Sequence, residues 1–224
     1  MTTLHHARVR CAVCSAETEY PRIGSTNSFG SLDLDTRPPE MQRSTMFAWV
    51  QRCPSCGYCA PDVSSAKPQA AALVRSPDYA RQLVDTAYPA LANSFLCKAL
   101  LDRHAGDFAG AAWSLIHAAW ACDDAGRDAQ AKACRGDAAD MIQRALDHDQ
   151  KIADQDGAET AIQVDLLRRA GRLEEARQMV QVRRRTIQEG IILKILAFQE
   201  TLISRRDQAC HRISEGLPSV VAEG

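Results

Sequence analysis

The sequence predicts a mainly α protein in which a small cysteine-rich module of short strands and loops precedes a set of antiparallel helical hairpins. Three observations lead there. Aromatic residues make up only 5% of the 224-residue chain while alanine is abundant, which suits close helix-on-helix packing better than an aromatic-filled sandwich or barrel. Five of the nine cysteines, with many Pro, Gly, Ser and Thr, fall within residues 1–62. From Pro68 onward, caps and glycine stops follow one another at helix lengths. The expected organisation is therefore a front module over 1–62 and a helical domain over 63–224.

In the front module, strands are expected over residues 7–10, 17–23 and 46–52. The last rests on Phe47, Trp49 and Val50, which favour extended backbone, just before a cysteine pair. Residues 25–42 read as loop. The helical part opens at Ser76-Pro77-Asp78, where a capping serine, a proline at the first helical position and an acid in the first turn coincide, giving a helix over 78–86. A second follows Pro89 and runs to His104, stopping before Gly106, which suits the left-handed conformation of a helix end. Asp107 caps a third helix that runs to Asp124. Further helices are expected over 128–147, 159–170, 173–189, 191–204 and 207–214.

Two turns share a pattern: Ala105-Gly106-Asp107-Phe108-x-x-Ala111 and Ala170-Gly171-Arg172-Leu173-x-x-Ala176. Glycine ends the first helix, a large apolar residue seats the second, and a small alanine lets the two approach. That is the turn of a tetratricopeptide-like hairpin. The turns lie 65 residues apart, close to two periods of about 34. A third, degraded copy is expected near Arg205, with Cys210 at the position of Ala176. Each hairpin exposes an apolar face that a neighbour must cover, so a short helical array follows.

The chemistry-bearing pattern is Cys11-Ala-Val-Cys14 and Cys53-Pro-Ser-Cys56-Gly57, two Cys-x-x-Cys pairs with 38 residues between them. Two intervening residues let both sulfurs of a pair converge on one ion, with backbone amides turned in to offset thiolate charge. Four thiolates close a tetrahedron and leave no position for substrate, so Cys11, Cys14, Cys53 and Cys56 are expected to hold one structural zinc ion. Such a site contributes on the order of 10 kcal/mol to folding, replacing a core that about 60 residues cannot build alone. Gly57 sits where the knuckle needs positive φ, and Pro54 stiffens the turn. A redox reading of either pair prefers a pair opening a helix in a βαβ unit, and that context is missing. Cys59 extends a three-residue ladder that an iron-sulfur cluster could use, against the reading of a packed thiol. Cys97, Cys122, Cys134 and Cys210 read as helix core, and His5 and His6 as a frayed terminus rather than a further metal ligand.

The bulk charge excludes strong global attraction: 27 basic and 28 acidic residues give −1. Residues 123–159 nevertheless carry ten acids against five bases, while the chain beyond Arg168 is arginine-rich. No stretch reaches the roughly 18 apolar residues of a membrane span, and the N-terminus lacks the apolar segment of a secretory signal. With an odd number of cysteines, a reducing cytoplasm is the expected location.

Three further groups are candidates. Trp113, His117, Trp120 and Asp124 share one helix face, as a partner groove or as a core stripe. Asp33, Asp35 and Arg37 form a functional loop if their carboxylates face a cation or substrate, or a solvated or structural loop if they do not. Arg183, Arg184 and Arg185, with Arg168, Arg169 and Arg172 before them and Arg205, Arg206 and Arg212 after, form an anion-binding strip or a solvated face. No aromatics interleave with them, which disfavours single-stranded nucleic acid.

The N-terminal Cys-x-x-Cys, the stretch Asp33-Leu-Asp35-Thr-Arg37-Pro-Pro, and Trp49-Val-Gln-Arg-Cys53-Pro-Ser-Cys56-Gly57-Tyr58 together resemble the bacterial family known as domain of unknown function 2225. Ala118-Ala119-Trp120-Ala-Cys122-Asp123-Asp124 and Phe198-Gln199-Glu200-x-Leu202-Ile203 extend the resemblance into the helical part. It implies a zinc-ribbon-like front and a tetratricopeptide-like rear in a cytoplasmic bacterial protein, with no activity attached. Ser15 departs from the glycine the family often has after the first knuckle. The expected function is a non-catalytic module for a protein or peptide partner, with a nucleic-acid-associated ribbon as the alternative and an enzyme using the Asp33 to Arg37 loop third.

Overall fold

The structure is a computed structural model that describes residues 2–217. It is mainly α, with two small two-stranded sheets at the front. Strands β1 (Thr3–Arg10) and β2 (Glu17–Ser25) form an antiparallel hairpin whose turn is the first Cys-x-x-Cys. Both are longer than their sequence signal, because each pairs along its whole length with the other, and His5 and His6 stand exposed within β1 rather than in a frayed end. Helix α1 (Glu40–Arg43) interrupts the stretch expected to be loop.

The strand expected over 46–52 is largely absent. Met46–Ala48 forms a 3₁₀ turn, and only β3 (Gln51–Arg52) is extended, paired with β4 (Cys59–Ala60). The bend turns Trp49 toward the helices, where its indole donates to Thr45 Oγ1 at 3.0 Å and its ring meets His117. Tertiary packing here overrides β propensity.

Two short helices follow, α2 (Ala70–Val74) and α3 (Pro77–Leu83). Ser76 caps α3 by accepting from the Tyr79 amide, as its sequence foretold. The buried Tyr79 fastens α3 to the second knuckle: its hydroxyl donates to Gly57 O at 2.9 Å and accepts from the Cys59 amide at 3.1 Å.

The helices that follow pack consecutively: α4 (Ala90–His104), α5 (Phe108–Asp124), α6 (Asp128–Asp147), α7 (Ala158–Arg169), α8 (Leu173–Arg183) and α9 (Gly190–Ser204). Helix α5 is the centre of this stack. Its buried Ala111, Ala112, Ala118 and Ala119 allow close approach on both sides, while Ile116 and Trp120 fill the space between. Each such large side chain contributes about 1.5–3 kcal/mol by leaving water.

Five helix ends among the described residues close in one way. Gly106, Gly126 and Gly171 have positive φ, and the amide after each reaches back five residues: Asp107 to Asp102 O, Arg127 to Cys122 O and Arg172 to Leu167 O, all at 2.9 Å. The fourth is Asp149 (φ 56), with Gln150 N to Ala145 O at 2.8 Å, and the fifth Arg206 (φ 56), with Asp207 N to Leu202 O at 2.9 Å. The turn expected near Arg205 is thus present, but the helix expected over 207–214 is not.

Only α10 (Ile213–Gly216) is helical there. The intervening backbone is engaged elsewhere: the carbonyls of Asp207 and Ala209 accept from Arg168, and His211 O accepts from the Leu34 amide at 2.9 Å. Cys210, expected in the core, is consequently exposed. Helix α8 likewise stops at Arg183, short of the expected 189. The chain turns so that Ile187 can bury itself against Gly157, where a Cβ would stand 2.9 Å from it.

Candidate metal centre

The two Cys-x-x-Cys turns are near copies of one another. In the first, Ser15 N donates to Cys11 O at 2.8 Å and Cys11 N to Ala16 O at 2.9 Å. In the second, Gly57 N donates to Cys53 O at 2.9 Å and Cys53 N to Tyr58 O at 2.8 Å. The residue after the second cysteine has positive φ in both, 63° for Ser15 and 77° for Gly57. A Cβ on Gly57 would lie 2.3 Å from Leu83 Cδ2, so the second knuckle needs glycine for space as well as conformation. In the first knuckle the corresponding Ser15 is exposed.

A hydrogen bond from Ala12 N to Val63 O at 2.8 Å, and another from Val63 N to the Gln51 side chain at 3.0 Å, bring the turns face to face. All four sulfurs then lie within 4.8 Å of one another, so the group could hold a metal ion. The nearest contacts run across the pairs, Cys14 to Cys53 at 3.6 Å and Cys11 to Cys56 at 3.8 Å. Cys11 and Cys53 are buried, Cys56 is half-buried and Cys14 exposed. Burial alone would raise the Cys53 thiol, but the amides of Cys56 and Ser55 bring it down to about 7, while burial raises Cys11 and Cys56. Inward-facing amides of this kind stabilise thiolate, the form a metal binds.

Cys59 is outside the cluster. It is buried at the start of β4, its thiol donating to Gly57 O at 3.3 Å, so the three-residue ladder does not converge on a common point.

The Asp33 to Arg37 loop is neither solvated nor an open site. It turns tightly, with Thr36 N to Asp33 O at 2.8 Å, and lies between the helices and the segment before α10, bridging Asp33 to Arg212. Asp35 is fully buried: its Oδ2 accepts from Trp120 Nε1 at 2.9 Å and from Arg169 Nη1 at 2.8 Å. Arg169 also donates to Asp123 at 3.0 Å, and Arg135 binds the same carboxylate. Arg37 is buried against the Trp120 face and donates to Asp124 at 2.6 Å, while Asp33 accepts from Arg43 at 2.7 Å. The arginines of the supposed strip are therefore divided. Arg168 and Arg169 lie inside in ion pairs, and Arg183 and Arg184 face Glu159 and Glu200.

His117 is enclosed by four aromatic rings, with centroids of Trp120 at 5.0 Å, Trp49 and Phe95 at 5.2 Å and Trp113 at 6.2 Å. Burial, then the Lys98 charge, hold it neutral down to about pH 4, with Asp35 pulling the other way. Trp113 donates to Ile152 O at 3.2 Å. Trp113, His117 and Trp120 pack against one another along one face of α5, with Trp120 buried and the other two partly buried. Trp49, Phe95, Arg169, Asp123 and Arg135 were not legible as members of these clusters, because each comes from a distant element; the aromatic character of Trp49 was visible, its partner was not.

Compared with family models, curated proteins and solved structures, the chain gives no match to any of them. Among the described residues, no helix is long and apolar enough to cross a membrane.

Proposed function

We propose that this chain is a zinc protein whose single metal ion is structural, and that it works as a non-catalytic cytoplasmic module whose helices present a surface to a protein or peptide partner. The observation that carries the zinc reading is the convergence of four cysteine sulfurs within 4.8 Å. All-thiolate donors select zinc over the hard, oxygen-seeking cations, and four of them leave no position open for a reacting water. The non-catalytic reading draws support from the Asp33 to Arg37 loop, whose charged groups are committed to Arg43, Arg169 and Asp124. The resemblance to the domain of unknown function 2225 family, which implies a zinc-ribbon-like front, agrees with the zinc reading. Elemental analysis of protein purified without added metal tests the first part: about one zinc per chain is expected, and a stable fold with none overturns it. Recovery of partners from native cells tests the second. Binding to mixed nucleic acid that collapses with added salt would instead favour a nucleic-acid-associated ribbon.

A further inference from the structure

A cavity of about 370 Å³ opens between the front module and the end of α4, with Tyr58 and Cys59, just past the second knuckle, in its wall. Pro61, Ala70, Leu73 and Leu101 give it apolar walls, and charged groups gather at one end. The polar groups there differ in how firmly they are held. Asp102 is nearly buried and receives Lys98 Nζ at 2.5 Å and Ser114 Oγ at 3.3 Å. Asp107 is the cap of α5, fixed by the Gly110 amide at 2.8 Å. Lys67, by contrast, comes from the loop before α2 and is half exposed, with its ammonium 2.9 Å from Asp107 and 3.8 Å from Asp102.

We propose that this cavity binds a primary amine carrying a small apolar body, an alkyl- or arylalkylamine, and that Lys67 stands in for the ligand's ammonium when the site is free. The fixed groups are the two carboxylates and Lys98, whose ammonium is committed to Asp102, so with Lys67 displaced the site keeps one net negative charge and is organised in advance for a cation. An anion would have to face both carboxylates. Moving Lys67 into water costs little, since exposed ion pairs of lysine are worth at most about 1 kcal/mol. The apolar walls then take the body, in a volume at the small end of ligand pockets.

The test uses the full chain with its metal and three probes of one shape: 2-phenylethylamine, 2-phenylethanol and 3-phenylpropionate. Calorimetry should show the amine binding at least about tenfold more tightly than the alcohol, with the carboxylate weakest. Shifts in methyl NMR signals should map to Leu73 and Leu101. Lys67→Ala should tighten amine binding several-fold by removing the internal competitor, and Leu101→Trp should abolish it by filling the space. Should Leu101→Trp fail to fold, Asp107→Asn, which keeps a capping oxygen, should weaken the amine about tenfold. Equal binding of the three probes, no binding of any, or amine binding indifferent to both Lys67→Ala and Asp107→Asn overturns the proposal.

Discussion

The Asp35 carboxylate accepts a hydrogen bond from Arg169 at 2.8 Å across 134 residues of sequence, with neither side chain in contact with bulk water to any extent that would screen the pair. Burial opposes the charge on Arg169, and Asp35, Asp165 and Asp123 together raise its pKa and keep it ionised. Removing one member strands the other. Asp35→Ala should therefore cost about 3–5 kcal/mol in urea unfolding, and Asp35→Leu combined with Arg169→Met should recover most of that. Near-additive losses in the double variant would mean that the two residues are not coupled.

Metal removal should act locally. The four cysteines organise residues 11–60, whereas α5 and α6 are held by buried alanines and Ile142. A strong chelator is expected to release hydrogen-exchange protection in the two knuckles while leaving the amides of α5 and α6 protected. Loss of protection throughout would make the metal a global rather than a local element of stability.

His117 gives the fold a pH dependence of known sign. Its pKa in the folded chain is about 4, below the ordinary 6.5, so the unfolded chain binds the extra proton between those values. Its contribution to stability is complete above pH 6.5 and is lost as the pH falls toward 4. Unfolding curves at several pH values should show His117→Phe flatter than the parent across that window, and the imidazole NMR signal should titrate near its lower end.

Gly57→Ala tests the second knuckle. A methyl there meets Leu83 at 2.3 Å on a backbone with φ of 77°, so a loss of about 1–3 kcal/mol and weaker metal retention are expected. Adding Leu83→Ala should relieve the collision but not the backbone strain, recovering part of the metal retention.

What the sequence made legible was local. The knuckles could be read because two intervening residues fix the geometry within one turn, and α4, α5 and α6 because proline, aspartate and glycine punctuate them within a few residues of their ends. The segment after α9 could not. Its residues have helical character, but its carbonyls are claimed by Arg168 and the Leu34 amide, partners about 40 and more than 170 positions away. Phe47, Trp49 and Val50 spoke for a strand on the same local grounds, and were overruled by the space beside His117. The Asp33 to Arg37 loop carried visible charge, yet whether that charge faced water or a guanidinium depended on Arg169. The Lys98–Asp102 pair, at a four-residue helical spacing, was a local signal that would have pointed to the cavity end.

The bridge between Asp33 and Arg212 bears on how the chain is made. On the ribosome Arg169 follows Asp35 by 134 residues, a delay of roughly 7–27 s at ordinary elongation rates. Through that interval Asp35 stays hydrated, and the front can assemble around its cysteines only as a free-standing piece. Seating the loop must thus wait until both Arg169 and Arg212 have been synthesised.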